Sequence, residues 1–322
     1  MLKTLFVNSA KLAVAVALIY WLISSGKLDF SLLGSLGEHP LAVAAAALLS
    51  VFNFFLISIR WKSILRSRSS VRIPNLGLLK TTWIGQFFSS VLPGSVSGDL
   101  VKIFYIQKYD EAFSKKFVFA TILIDRVMGL CGLILLVGLS SLLFGNHIRS
   151  NAPAMGTLLN FNYFLSCAVI IGFGIFFFFH DRFRVLLTLF QGKFASGLFQ
   201  KLISLWDDLV SIKSKMLRAI GLSIIVQFIG VLIFWSLIQP FVDGKMDFIQ
   251  ALAFIPLGLM TLALPVAPSG LGVGHAIFQK LFEFSGITNG ASLFNLYFFV
   301  TLAVNVLGVI PYVLTSRKQK SS

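Results

Sequence analysis

Apolar runs about as long as a bilayer is thick recur along this chain, and they restrict it to a narrow set of folds. The runs are Leu5–Ile23, Leu41–Ile59, Phe117–Phe144, Tyr163–Phe179, Ala219–Ile238 and Ala291–Leu314. About 20 consecutive apolar residues cross the hydrocarbon as a helix, and a helix satisfies its backbone polar groups internally, as lipid requires. Composition agrees. The 322 residues are 57% hydrophobic and 12% charged, with a mean hydropathy of +0.89. A soluble domain carries about twice that charged fraction. The longest polar stretch, His180–Arg218, is too short for a soluble domain of its own. A single membrane domain over residues 1–322 is therefore expected.

Two further regions, Leu76–Tyr109 and Phe248–Phe284, are apolar but interrupted. The first contains VLPGSVSGDLVK, Val91 to Lys102; the second contains ALPVAPSGLGVGH, Ala263 to His275. Each leads from an apolar segment through proline and small residues into an expected helix. With one residue of slip, Pro93 aligns with Pro268, Gly98 with Gly274 and Asp99 with His275. Pro93 and Gly94 are expected to turn the chain, with helices restarting near Gly98 and near Gly272, after Gly270.

The lysines and arginines set the orientation, because cytoplasmic segments carry an excess of them. With the N-terminus inside and both interrupted regions returning to the side they left, the inside segments hold two before or within the first run, ten from Arg60 to Lys116, seven from Arg182 to Arg218, and three at the tail. Outside lie only Lys27, Arg149, Lys245 and Lys280, and Arg126 falls within a run. The net charge of +15 is thus a collar facing anionic headgroups rather than a nucleic-acid surface, so membrane lipids are the expected partner and nucleic acid is not. Lys3 ahead of the first run, Lys11 in its first part and Ser24-Ser25-Gly26 behind it have the form of a signal peptide. With no soluble domain to export, an uncleaved anchor is expected.

The same parity divides the chain. Repeat 1, about residues 1–145, and repeat 2, about 160–316, each hold two runs, an interrupted hairpin and a third run, and the three crossings make their topologies opposite. The expected fold is an all-α polytopic membrane protein of six spanning helices plus two interrupted or re-entrant hairpins, arranged as an inverted-topology repeat. In such transporters, paired interrupted segments mark the site. Hairpins that cross fully would leave the parity unchanged.

The residues of these segments carry a resemblance. Arg60-Trp61 at the end of the second run, LPGSVSGDLVK, IDRVMGL (Ile124–Leu130) and PSGLGVGH occur in the order found in the lysylphosphatidylglycerol synthase transmembrane family, also called the flippase-like domain, which the chain resembles over nearly its whole length. That family usually has arginine at the position of Lys102, glutamate at that of Asp125 and often glutamate at that of His275. The resemblance implies a bacterial or archaeal plasma-membrane protein, with both termini cytoplasmic, related to the part of aminoacyl-phospholipid synthases that moves lipid across the bilayer. The chain ends eight residues after Leu314, so the expectation is a stand-alone member that does not itself make lysyl-lipid.

Arg126 is the most costly of the candidate residues. It lies about 14 Å along a helix from Phe117, at a rise of 1.5 Å per residue, near mid-membrane, where a charge faces a partner or a wet cavity. Asp125 points to another face, so neither neutralises the other; Asp99 and Lys102 are the opposite-sign candidates. These charges serve either as a buried network that fixes the bundle or as a headgroup pathway, and the two are compatible. Helix N-termini at Gly98 and Gly272 would suit a phosphate, while Gly98, Gly270, Gly272 and Gly274 equally suit tight helix packing. Arg60 is either an interfacial anchor beside Trp61 or a first contact for an anionic headgroup. The candidate pathway is therefore Arg60, Asp99, Lys102, Asp125, Arg126 and His275.

No enzyme signature is found. Gly270–Gly274 lacks the spacing and the strand–helix context of a dinucleotide loop, and there is no phosphate-binding lysine loop, zinc motif or nucleophile elbow. Cys131 and Cys167 sit in apolar runs without metal spacing. No cofactor or metal is expected. The leading expectation is translocation of a phospholipid or lipid-linked headgroup, anionic or zwitterionic, driven downhill or by an ion gradient. The alternatives are a membrane-embedded enzyme or accessory subunit beside an envelope-synthesis enzyme, and a solute channel or carrier.

Overall fold

The computed structural model describes residues 32, 34–66, 73–91, 97–109, 113–193, 213–263 and 273–318, together with residues 200, 203, 206, 207 and 210. The run Leu5–Ile23 and the turn residues Pro93, Gly94, Pro268, Gly270 and Gly272 lie outside them. Among the described residues there are ten α-helices and three short 3-10 turns, and no strand. The helices are α1 Pro40–Leu65, α2 Asn75–Val91, α3 Ser97–Gln107, α4 Lys115–Asn151, α5 Gly156–Lys193, α6 Lys213–Ile238, α7 Phe248–Ala263, α8 Val273–Glu283, α9 Gly290–Val306 and α10 Val309–Lys318.

Among the described residues, five stretches are long and apolar enough to cross a membrane: 40–65, 115–151, 153–185, 213–241 and 290–315. They coincide with five of the six expected runs. The chain is a multi-pass membrane protein. Apolar side chains turned outward, such as Phe164, Ile170 and Phe178 on α5, are stable facing lipid and would be costly facing water.

The last run departs from a single helix. Pro311 has no N–H to continue the ladder, and the Ile310 N–H bonds to the Leu307 carbonyl instead. Gly308 donates to Asn305 O at 2.9 Å, three residues back rather than four. That frees the Val304 carbonyl, which accepts from Trp83 Nε1 of α2 at 2.8 Å. A side chain at Gly308 would run into the Trp83 carbonyl and Phe87, so α2 can approach only because this residue is glycine.

The interrupted regions are helix pairs. α2 packs on α3, and α7 packs on α8. The second arms begin at Ser97 and Val273, one residue from the expected Gly98 and Gly272, and Asp99 and His275 both fall at the third position of their helix. Gly98 lies so close to the Gly85 carbonyl that a Cβ would overlap it; for this glycine, close packing is the observed role. α7 starts with a reciprocal cap in which Asp247 N–H donates to Gln250 Oε1 (2.9 Å) and Gln250 N–H donates to Asp247 Oδ1 (2.8 Å).

The largest packing contact in the bundle joins α1 to α6. Around this pair the contacts cross: α2 packs on α9, and α7 packs on α4. The core is densest on the α6–α9 side. Phe234 stacks with Phe278 (ring centroids 4.7 Å apart) and with Tyr297 (4.6 Å), and Phe278 stacks with Phe294 (5.1 Å). Phe278 and Phe294 are seated on Gly258 and Gly274, where a Cβ would collide with the rings.

Candidate functional site

On the α1–α4 side, facing that aromatic core, the bundle encloses a cavity of about 500 Å³, within the usual range for a ligand site. Among the described residues, five charged side chains line it: Arg60, Asp99, Lys102, Asp125 and Arg126. Charge at membrane depth survives only with partners, and these groups supply one another.

Arg60 is buried, with 6% of its side chain exposed, and so does not act as a surface anchor. Its guanidinium clasps Asp125 bidentately, Nε to Oδ1 at 2.7 Å and Nη2 to Oδ2 at 2.9 Å. Nη1 donates to Ser223 Oγ of α6 at 3.0 Å. This fork geometry is one that lysine cannot reproduce. It ties α1, α4 and α6 together, where α4 and α6 approach so closely that a Cβ at Gly132 would strike Ser223.

Asp99 is a different kind of centre. Its side chain is 6% exposed and takes two cations: Lys102 Nζ at 3.2 Å on Oδ1, and Arg126 on Oδ2, with Nε at 2.7 Å and Nη2 at 2.6 Å. The Lys102 stem crosses Gly85, and its ammonium lies 5.7 Å from the centre of the Trp61 ring. Trp61 is fixed by its own Nε1 bond to Thr121 Oγ1 at 3.2 Å. Arg60 and Asp125 balance one to one, whereas one carboxylate at Asp99 faces two cations. Among the described residues that line the cavity, the formal charges sum to one excess positive charge, centred on Lys102 and Arg126.

The environment of Arg126 differs from that of the other four. Its side chain is 39% exposed. Its helical neighbours Leu123 and Val127 turn outward, as do Leu100 and Phe104 of α3. A half-exposed arginine thus lines the cavity and borders an apolar outer surface.

His275 is not brought to this cavity. Its Nε2 lies 2.6 Å from Asn295 Oδ1 of α9, and its ring meets Phe294 edge-on. The expected pairing of Lys102 with Asp125 does not form, because Arg60 already occupies both Asp125 oxygens. Gly274 lies in the aromatic core rather than at the cavity.

Sequence reading missed the rest of the lining. Ser50 and Asn53 of α1, Thr82, Gln86, Ser89 and Ser90 of α2, and Thr301 and Asn305 of α9 all face the cavity. A signal was available, since these polar residues recur at steps of three or four within apolar helices, which places them on one face. Ser223 had no comparable signal. No group of three or more metal-ligating side chains occurs among the described residues.

The family model described as "Lysylphosphatidylglycerol synthase TM region" matches residues 8–308. The chain belongs to this family. A UPF0104 membrane protein of Pyrococcus horikoshii is 20% identical over 271 residues, covering 76% of this chain and 77% of that relative. No solved structure matches the chain. Within the lysylphosphatidylglycerol synthase transmembrane family, the features now given a geometry are Arg60-Trp61, the Asp99–Lys102 turn and Asp125-Arg126.

Proposed function

We propose that this protein translocates a phospholipid or lipid-linked headgroup across the membrane. The observation that carries this reading is Arg126, which lines the charged cavity yet borders an outward apolar surface. A lipid needs such an edge: the headgroup enters a polar site while its chains stay in hydrocarbon. Stripping a phosphate of water is very costly without partners, and the excess charge at Lys102 and Arg126 supplies them. A carrier for a free solute would have no use for an arginine at the lipid-facing rim.

The six-span inverted repeat belongs to the same proposal. It is supported by the α1–α6 pairing and by the crossed contacts of α2 with α9 and α7 with α4, the pattern a two-fold axis in the membrane plane would give. In this reading α2–α3 and α7–α8 are re-entrant hairpins. Their second arms, 11 residues each, reach about 16 Å at 1.5 Å per residue, short of a bilayer core. The distribution of lysine and arginine supports cytoplasmic termini, and membership of the family supports a bacterial or archaeal plasma membrane.

The reading is tested with protein reconstituted into liposomes that carry headgroup-labelled phospholipid. Quencher added outside should reach the inner-leaflet label over time in wild-type vesicles. Rates equal to those of protein-free vesicles would reject translocation.

A further inference from the structure

The carboxylates of the cavity are already occupied by cations. Both oxygens of Asp125 accept from Arg60, Nε on Oδ1 at 2.7 Å and Nη2 on Oδ2 at 2.9 Å. Both oxygens of Asp99 also face cations, Lys102 Nζ at 3.2 Å on Oδ1 and Arg126 Nη2 at 2.6 Å on Oδ2. A proton or a sodium ion arriving at either carboxylate would sit against an ammonium or a guanidinium, and like charges repel. The other polar residues that line the cavity, such as Ser50, Gln86, Ser89, Thr301 and Asn305, are hydroxyls and amides without charge. His275, a residue type able to carry a proton, does not line it and meets Asn295 instead. Among the described residues, the cavity is equipped for an anion and offers no open carboxylate to a coupling cation.

The balance of charge points the same way. The described lining residues hold one positive charge in excess, from Arg60, Lys102 and Arg126 against Asp99 and Asp125. A single phosphodiester brings that balance to zero with both aspartates ionised. Protonating Asp99 as the headgroup enters would leave the occupied site positive. It would also break the pairing that makes charge tolerable at membrane depth. The site is electrically complete with the headgroup alone.

We infer that the headgroup, with one net negative charge, crosses without a companion ion and is driven by the membrane potential. This rests on the translocation reading and adds its driving force. The charges of the protein return with every cycle, so the net transfer is the charge of the headgroup. For one elementary charge, a potential of about 100 mV favours one leaflet over the other by about 50-fold. An anion gathers on the positive side, which is the outer leaflet of a cell held negative inside.

The test uses the purified full chain in liposomes, with a short-chain, acyl-labelled phosphatidylglycerol as probe. Extraction by albumin reads the share in the outer leaflet. A potassium gradient with valinomycin sets a potential of about 100 mV in either direction. Inside-negative vesicles should gather the probe in the outer leaflet and inside-positive vesicles in the inner one. Each shift should reach about tenfold or more over vesicles at zero potential. Acyl-labelled phosphatidylethanolamine, which has no net charge, should stay evenly divided. Arg126→Gln should slow the approach to these ratios without changing them, because the potential fixes the end point and the site fixes only the rate. A pH or sodium gradient imposed at zero potential should move nothing. Even division of phosphatidylglycerol at both polarities, with crossing faster than in protein-free vesicles, would overturn the inference and leave translocation standing. Redistribution by a pH or sodium gradient alone would do the same. Crossing no faster than in protein-free vesicles would overturn both readings.

Discussion

Arg60 and Asp125 meet as a two-bonded pair, at 2.7 and 2.9 Å, with 6% and 13% of their side chains exposed. Sixty-five residues apart in sequence, they join the end of α1 to the first third of α4, and Ser223 extends the link to α6. Breaking a buried pair by removing one partner leaves a charge uncompensated, at a cost of about 3–5 kcal/mol. Arg60→Met and Asp125→Leu should therefore each lower the yield of folded protein and its melting temperature in detergent, and the double variant should recover part of the loss. Asp125→Glu should be milder, as the glutamate usual in the family would suggest. Fluorescence-detected size-exclusion chromatography after a heat step reads these outcomes. Additive losses in the double variant would show that the two residues do not act as a pair.

Arg126 should behave in the opposite way. Its side chain is the most exposed of the five charged groups, so losing it leaves less charge stranded. The Lys102 contact still covers Asp99. Arg126→Gln is expected to reach wild-type levels in the membrane and to slow headgroup translocation at least about tenfold, the loss of one charge-assisted contact. Lys102→Ala should be slowed similarly, since the excess charge is shared. Wild-type rates in both variants would separate the Asp99 centre from transport and leave it a packing feature.

The two helix pairs predict a contrast among glycines. Gly98 touches the Gly85 carbonyl with no room for a Cβ, whereas Gly221 on α6 has nothing within 4 Å of one. Gly98→Ala should force α2 and α3 apart and lower the melting temperature by several degrees. Gly221→Ala should be neutral or slightly stabilising, because alanine is favoured over glycine in a helix by about 0.5–1 kcal/mol. Equal melting temperatures for the two variants would mean that the α2–α3 contact contributes little.

Much of this arrangement was legible because lipid imposes simple rules. Apolar run length gave five of the observed crossing stretches, and proline with glycine marked both helix pairs to within a residue. The Asp99–Arg126 pairing followed from the cost of an isolated charge at depth. Other features depend on which faces meet in three dimensions. Arg60 looked like an interfacial anchor because it ends an apolar run; only the crossing of α1 with α4 shows its carboxylate. The break at Leu307–Gly308 depends on Trp83, more than two hundred residues earlier. His275 aligns with Asp99 in the sequence, but Phe278 and Phe294 fill the space that on the other side is cavity.

The last prediction concerns topology, which the pairing of α2–α3 with α7–α8 makes testable. If the two halves are inverted, the helix pairs open to opposite faces of the membrane. Lys108 follows α3, Lys280 lies near the end of α8, and both are exposed. With Cys131 and Cys167 replaced by serine, Lys108→Cys should resist a membrane-impermeant maleimide in intact cells and react after permeabilisation. Lys280→Cys should react in intact cells. The outcome is set by an odd number of crossings in each half, so it holds whether the pairs are re-entrant or cross fully. Labelling of both positions from the same face would refute the inverted repeat.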